Sequence, residues 1–275
     1  MIETMRPGDA VSLFALLFLV VIGWVRPISP KQRRQIVGLG LVGTALIASA
    51  QLLSKYSPAA AKAVGDWLPC LLILIVYWQA GRFSSTPNKK LQTWLVEFDR
   101  QQLGSFLDQW SRKWSATWIG TYFEIAYLFC YALIPIGVGV LCWTNLRSAI
   151  DEYWATVLPA SYLCYLIVPF AQTLPPRLLC CAGDATPAKQ KIRSFNLFIL
   201  RYGSIQLNTF PSAHVASTVG ASLVLMKYVP AAGAIFLLIS LSIAAGAVFG
   251  RYHYALDVIF GAMLPVCVAA WVLGH

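Results

Sequence analysis

Charge is scarce in this sequence. Asp, Glu, Lys and Arg together make up 12% of its 275 residues, about half the roughly 25% of an ordinary soluble domain. Hydrophobic residues make up 58%. That balance excludes a soluble globular domain, and the wealth of aliphatic and aromatic side chains excludes a disordered chain. Acidic residues are scarcer than basic ones, 11 against 21, leaving a net charge of +10. In a soluble protein such an excess would point to nucleic acid. In a chain this apolar, basic membrane loops account for it, so no nucleic-acid partner is expected.

Metal and redox chemistry lack their usual residues. There are seven cysteines, at 70, 130, 142, 164, 180, 181 and 267, and five of them lie in apolar runs, where a thiol serves as a small hydrophobe. Cys180 and Cys181 are adjacent, and neighbours in sequence rarely bridge without strain. Neither a CxxC pair nor a zinc-type ligand set is present. The sequence therefore predicts no disulfide framework, no metal and no cofactor.

Long apolar runs dominate instead. Crossing the hydrocarbon core takes about 20 mostly apolar residues in a helix. Eight stretches stand out: Ala10 to Val25, Ile36 to Leu53, Trp67 to Ala80, Tyr122 to Trp143, Trp154 to Leu174, Ser212 to Val229, Ala231 to Phe249 and Ala255 to Leu273. The third is the shortest. The first is read as a retained helix, because a basic cluster follows it and no small-residue cleavage site does. The expected fold is an all-α polytopic membrane bundle of about eight transmembrane helices in a single domain. Residues 1–114 would be accessory and 115–275 a catalytic core.

Between the third and fourth spans, Leu91, Trp94, Leu95, Phe98, Leu103, Phe106, Leu107 and Trp110 alternate with Asp99, Arg100, Gln101, Asp108 and Arg112. This is an amphipathic helix, interrupted near Gly104. It suits a segment lying in the headgroup region, and equally one packed over the mouth of the bundle. The connection Pro175 to Phe210 is the longest without a span. Its Lys189, Lys191, Arg193 and Arg201 read as a solvated or headgroup-facing cluster.

Only three histidines occur, His214, His253 and His275, and two sit where apolar helices begin. Pro211-Ser212-Ala213-His214 opens the sixth span, with Pro where a first turn tolerates it and free N–H groups beyond, a setting that attracts phosphate. His253 and Asp257, at the start of the eighth span, are four residues apart and share a helix face. A carboxylate there can hold one imidazole nitrogen as N–H and leave the other as nucleophile or base. Each motif alone reads equally well as an interfacial polar contact. Topology favours chemistry, because the end of the fifth span at Arg177 and the starts of the sixth and eighth face one side of the membrane.

Here the chain resembles the type 2 phosphatidic acid phosphatase superfamily, over roughly Tyr122 to Leu273. The matching residues are Arg177, Pro211-Ser212-x-His214 and His253-x-x-x-Asp257, in the family's order and spacing. The family's remaining basic positions are Phe170 and Ala247 here, and its second-motif glycine is Ala213. The motif wording is closest to the inositol phosphorylceramide synthase-like, inositolphosphotransferase branch. The resemblance implies a lipid-phosphate phosphatase or phosphotransferase. His253 would be the nucleophile forming a phosphohistidine, Asp257 its orienting partner and His214 the proton donor, with Arg177, Ser212 and Arg251 binding phosphate. Arg251 can contribute only if its turn is irregular, since on a regular helix it points away from His253. Glu124, near the membrane edge, would pair with an active-site arginine, seat a polar acceptor or reach water.

Water as acceptor makes the enzyme a phosphatase and an alcohol makes it a synthase. A transporter, or a non-catalytic scaffold with a degenerate site, is the competing reading. Of the 21 lysines and arginines, 16 fall on the motif side by this topology. The positive-inside rule then places the site at the cytoplasmic face of a plasma (inner) membrane, with both termini outside.

Overall fold

The computed structural model describes residues 5–84, 86–179 and 190–274. They form twelve α-helices and no strand. The first three are α1 (Pro7–Val25), α2 (Pro30–Leu53) and α3 (Pro58–Gly81). Each opens on a proline at its first turn, where a missing N–H costs nothing. Ser29 and Gln32 add a capping box to α2. The third span, weakest by sequence, is thus the interior of a 24-residue helix.

Helix α4 (Lys89–Lys113) is capped by Asn88 and runs unbroken through Gly104. It lies over the motif end of the bundle, where Leu95 packs with Tyr254 and Leu256. The expected single span Tyr122–Trp143 is two helices, α5 (Trp118–Leu128) and α6 (Cys130–Trp143), bent by 59°. Helix α7 (Ile150–Ile167) ends before Leu174, and the long connection carries the short α8 (Pro176–Leu179) and α9 (Lys191–Gly203). The bundle closes with α10 (Ala213–Tyr228), α11 (Pro230–Phe249) and α12 (Ala255–Val272).

Five helices, α1, α2, α3, α11 and α12, are long and apolar enough to cross a membrane, and the bent α5–α6 pair makes a sixth. This is fewer than the eight spans read from sequence, because α7 and α10 fail for opposite reasons. Helix α7 starts with Asp151 and Glu152, and α10 is only 16 residues long and rich in Ser, Thr and Ala. Both are central helices that other helices shield from lipid. Helix α10 packs against α6, α7, α11 and α12, and a Cβ at Gly220 would touch both Pro265 and Val157. Small residues allow that close approach. The outer helices instead present Leu17, Val21, Leu41, Ile235, Leu238 and Met263 outward, an apolar surface suited to lipid.

The two ends of the bundle are held by different chemistry. Opposite the motifs, Arg6 bonds Asp66 at 2.9 Å and Asp151 at 2.7 Å, joining α1, α3 and α7. At the motif end, the loops themselves are tied together.

Candidate active site

The C-terminus of α11 and the N-terminus of α12 meet in a tight, irregular turn. Arg251 takes a left-handed φ of 60°, and the N–H groups of both Tyr252 and His253 return to the carbonyl of Ala247. The turn presents His253, 7% exposed, toward the start of α10. There the Ser212 N–H donates to the Asp257 carbonyl at 2.9 Å, fixing α10 against α12. The His214 and His253 rings stand edge to face, 6.1 Å apart.

His253 Nδ1 lies 2.9 Å from the carbonyl oxygen of Thr209 and 3.4 Å from Asp257 Oδ2. A carbonyl only accepts, so Nδ1 carries a proton, and in the neutral ring the lone pair is on Nε2. The Asp257 carboxylate is fully buried. Its Oδ2 accepts the Tyr254 N–H at 2.9 Å, and Oδ1 has no hydrogen-bond partner among the described residues. The nearest acceptor to His253 is therefore a backbone oxygen 44 positions upstream, which no side-chain pattern could reveal.

A small cavity opens beside this pair, lined by His214, His253 and Arg177 and walled by Tyr77, Tyr127, Tyr165 and Tyr252. Arg177 is placed by its own backbone, whose N–H donates to the Arg251 carbonyl at 3.0 Å. Its guanidinium lies 5.8 Å from the Tyr252 ring centroid, and no carboxylate among the described residues pairs with it. Burial pulls its pKa below the ordinary arginine value. Tyr252 stacks on Tyr127 at 4.2 Å, giving the cation a rigid aromatic wall.

Three of the six residues singled out by sequence thus share one cavity, and Asp257 stands directly behind His253. Ser212 is fully buried, its Oγ without a partner among the described residues, and it is not in the cavity wall. Arg251 does have the irregular turn that the spacing required, but its side chain turns to Asp108 on α4 at 3.5 Å. Its part in the site is its carbonyl, which anchors Arg177.

Arg193 corrects the reading of the loop cluster as solvated. It is buried and bonds Glu124 at 2.7 Å and the Gly250 carbonyl at 3.0 Å. Asn196 and the Tyr252 hydroxyl complete the shell of Glu124, at 2.7 and 2.5 Å. Glu124 therefore does not reach water. The visible signal was the spacing of Arg193, Asn196 and Leu200, one face of α9. Lys191 and Arg201 lie at the two ends of α9, while Lys189, Cys180, Cys181 and His275 fall outside the described residues. Asp99 was also missed. It follows Leu95 by four positions, which puts a carboxylate on the apolar face of α4. No group of three or more His, Cys, Asp or Glu gathers among the described residues.

No curated protein and no solved structure gives a significant match to the chain. The family model described as the PAP2 superfamily matches residues 93–272, a segment that begins within α4 and takes in both histidine motifs and Arg177. With two thirds of its length matched, and a histidine pair and an arginine around one cavity at the motif end of an all-helical membrane bundle, the chain belongs to the PAP2 superfamily.

Proposed function

We propose that the protein is an integral membrane enzyme that transfers or hydrolyses the phosphoryl group of a lipid phosphate through a covalent intermediate on His253. The observation that carries this reading is the orientation of the imidazole. Nδ1–H is held by Thr209 with Asp257 behind it, so Nε2 is the basic nitrogen of a ring that lines the cavity shared with Arg177 and His214. Nucleophilic catalysis requires a group oriented in this way.

In the first step Nε2 attacks phosphorus, the P–O bond to the leaving group breaks, and His214 in its imidazolium form gives a proton to the departing oxygen and becomes neutral. The phosphorylated imidazole is cationic, and the Asp257 carboxylate stabilises it. In the second step His214 takes a proton from the acceptor, whose oxygen attacks phosphorus as the P–N bond breaks. Arg177 holds the non-transferring oxygens, to which its fork can make two bonds. The free N–H groups of the first turn of α10 offer further donors. No step calls on a metal, because charge neutralisation comes from side chains and a helix terminus.

Water as acceptor gives a phosphatase. An alcohol gives a synthase, the reaction suggested by the resemblance to the inositolphosphotransferase branch. The excess of basic residues in the loops supports a reading in which this end of the bundle lies at the cytoplasmic face of a plasma (inner) membrane, and labelling of the termini in intact cells tests that reading. The deciding experiment is release or transfer of labelled phosphate from a panel of lipid phosphates by purified protein in detergent. Wild type runs beside His253→Ala, with chelator and with candidate alcohols. Product made by wild type alone supports the enzyme; no His253-dependent product under any condition supports the scaffold.

A further inference from the structure

Helix α4 is tied to the site at four points along its length. The Asn88 N–H donates to the Gln172 carbonyl at 2.7 Å. Gln92 accepts the Leu174 N–H at 2.7 Å and reaches the Tyr254 hydroxyl at 2.6 Å. Asp99 accepts the Ala255 N–H at 3.0 Å, and Asp108 pairs with Arg251. Asp99 is the anchor at the start of the helix that carries Asp257, and it is only 6% exposed. Burying a carboxylate is costly unless it is bonded.

We propose that Asp99 is a positioning residue for His253: by holding the first N–H of α12, it leaves the Asp257 carboxylate to face the imidazole and adds a second negative charge at that helix end. The inference rests on the phosphoryl-transfer reading above. The first N–H groups of any helix lack partners within it. Here Tyr254 N–H is taken by Asp257 Oδ2 and Ala255 N–H by Asp99 Oδ1, and Ala255 is too buried, at 8% exposed, to turn to water. Without Asp99, that buried N–H loses its acceptor, and the turn that carries Tyr254 and Asp257 must shift to satisfy it. That shift would move Oδ2 relative to the His253 Nδ1 it now faces at 3.4 Å.

Two carboxylates at one helix N-terminus also suit the sign of its dipole. Their closeness has a cost. Burial first, and then the charge of Asp257, push the Asp99 carboxyl up to about 6, against the opposing pull of the Ala255 N–H and of Arg251. Asp257 and Arg251 are the charges that face it from the α11–α12 turn; Arg100, next to it on α4, points outward to Glu97.

The test is nitrogen-15 NMR of histidine-labelled protein, in which His253→Gln identifies one signal of three. Asp99→Ala, Asp99→Asn and, as control on the exposed face of α4, Glu97→Gln are titrated beside wild type, and turnover is measured on the same samples. We expect Asp99→Ala to shift both His253 nitrogens and lower its titration midpoint. Asp99→Asn, which keeps an acceptor but loses the charge, should lower the midpoint with smaller displacement. Turnover should fall about tenfold in Asp99→Ala with KM within about twofold, and Glu97→Gln should match wild type. An unchanged His253 signal in the Asp99 variants overturns the proposal. If Asp99→Ala does not fold, the midpoint in Asp99→Asn decides alone. Wild-type protein without His253-dependent turnover would overturn the phosphoryl-transfer reading instead, because the imidazole readout needs no substrate.

Discussion

The Nδ1 of His253 donates to the carbonyl oxygen of Thr209 at 2.9 Å, closer than the 3.4 Å that separates it from Asp257. On the proposed reading, the two acceptors divide the task a single carboxylate performs in a hydrolase triad. The carbonyl fixes the tautomer, and the carboxylate supplies charge. Where a carboxylate alone orients the histidine, its amide replacement reverses the tautomer and costs about 10⁴-fold in kcat. Here Asp257→Asn leaves the Thr209 carbonyl in place, so the loss in kcat should be nearer 10²-fold, with KM little changed. Steady-state kinetics on the substrate found in the lipid-phosphate panel checks it, and a 10⁴-fold loss would show that Thr209 does not hold the tautomer.

Arg177 is the cation of the cavity without a carboxylate partner among the described residues, and its backbone is pinned to the turn that carries His253. Lysine would keep the charge and lose the planar fork. Arg177→Lys should lower kcat/KM by about 10²-fold, in the range seen when one preorganised donor is removed, and Arg177→Ala should lower it further. Inhibition by inorganic phosphate, followed in both variants, should weaken in the same order. Equal inhibition in wild type and Arg177→Ala would remove Arg177 from the phosphate site.

Burial accounts for what sequence could and could not reveal. His214, His253 and Arg177 were legible because charge is so rare that three polar groups at one membrane face form a pattern. The outer helices were legible because lipid demands continuous apolar surface. Helices α7 and α10 run against protein, not lipid, so they are shorter or less apolar than a lipid-facing span. Thr209 acts through its backbone, which leaves no trace in residue type. Arg193 and Asp99 looked solvated because single charges on amphipathic helices usually are, and only their spacing from Leu200 and Leu95 marked them as inward-facing. The 59° bend at Phe129 has no breaker residue to announce it, since Pro135 lies inside α6.

The Glu124–Arg193 pair ties α5 to α9 and, through the Tyr252 hydroxyl, to the residue before His253. Removing one partner of a buried pair leaves the other charge uncompensated, at a cost of about 3–5 kcal/mol, whereas removing both costs far less. Glu124→Ala should lower the thermal midpoint in detergent sharply, and Glu124→Ala with Arg193→Met should recover most of the loss. Thermal unfolding of both single variants and the double variant gives the coupling. Purely additive losses would show that the pair contributes nothing as a pair.

The start of α10 meets α12 at Gly261, close to both histidines. A Cβ there would lie 2.5 Å from the Ser212 carbonyl oxygen, a backbone atom that cannot swing aside. Gly261→Ala must therefore push α12 from the start of α10, where His214 stands 6.1 Å from His253. Overpacking of this kind costs about 1–3 kcal/mol, and a shift near 1 Å in reacting groups can cost about 10²-fold in rate. We expect Gly261→Ala to lose activity out of proportion to stability: a modest drop in thermal midpoint and a kcat reduced by about 10²-fold. Gly139→Ala, where a Cβ meets nothing within 4 Å, should leave both unchanged. Were Gly261→Ala to keep full turnover, the α10–α12 contact would not control the spacing of the histidines, and their alignment would have to come from the turn at Arg251 alone.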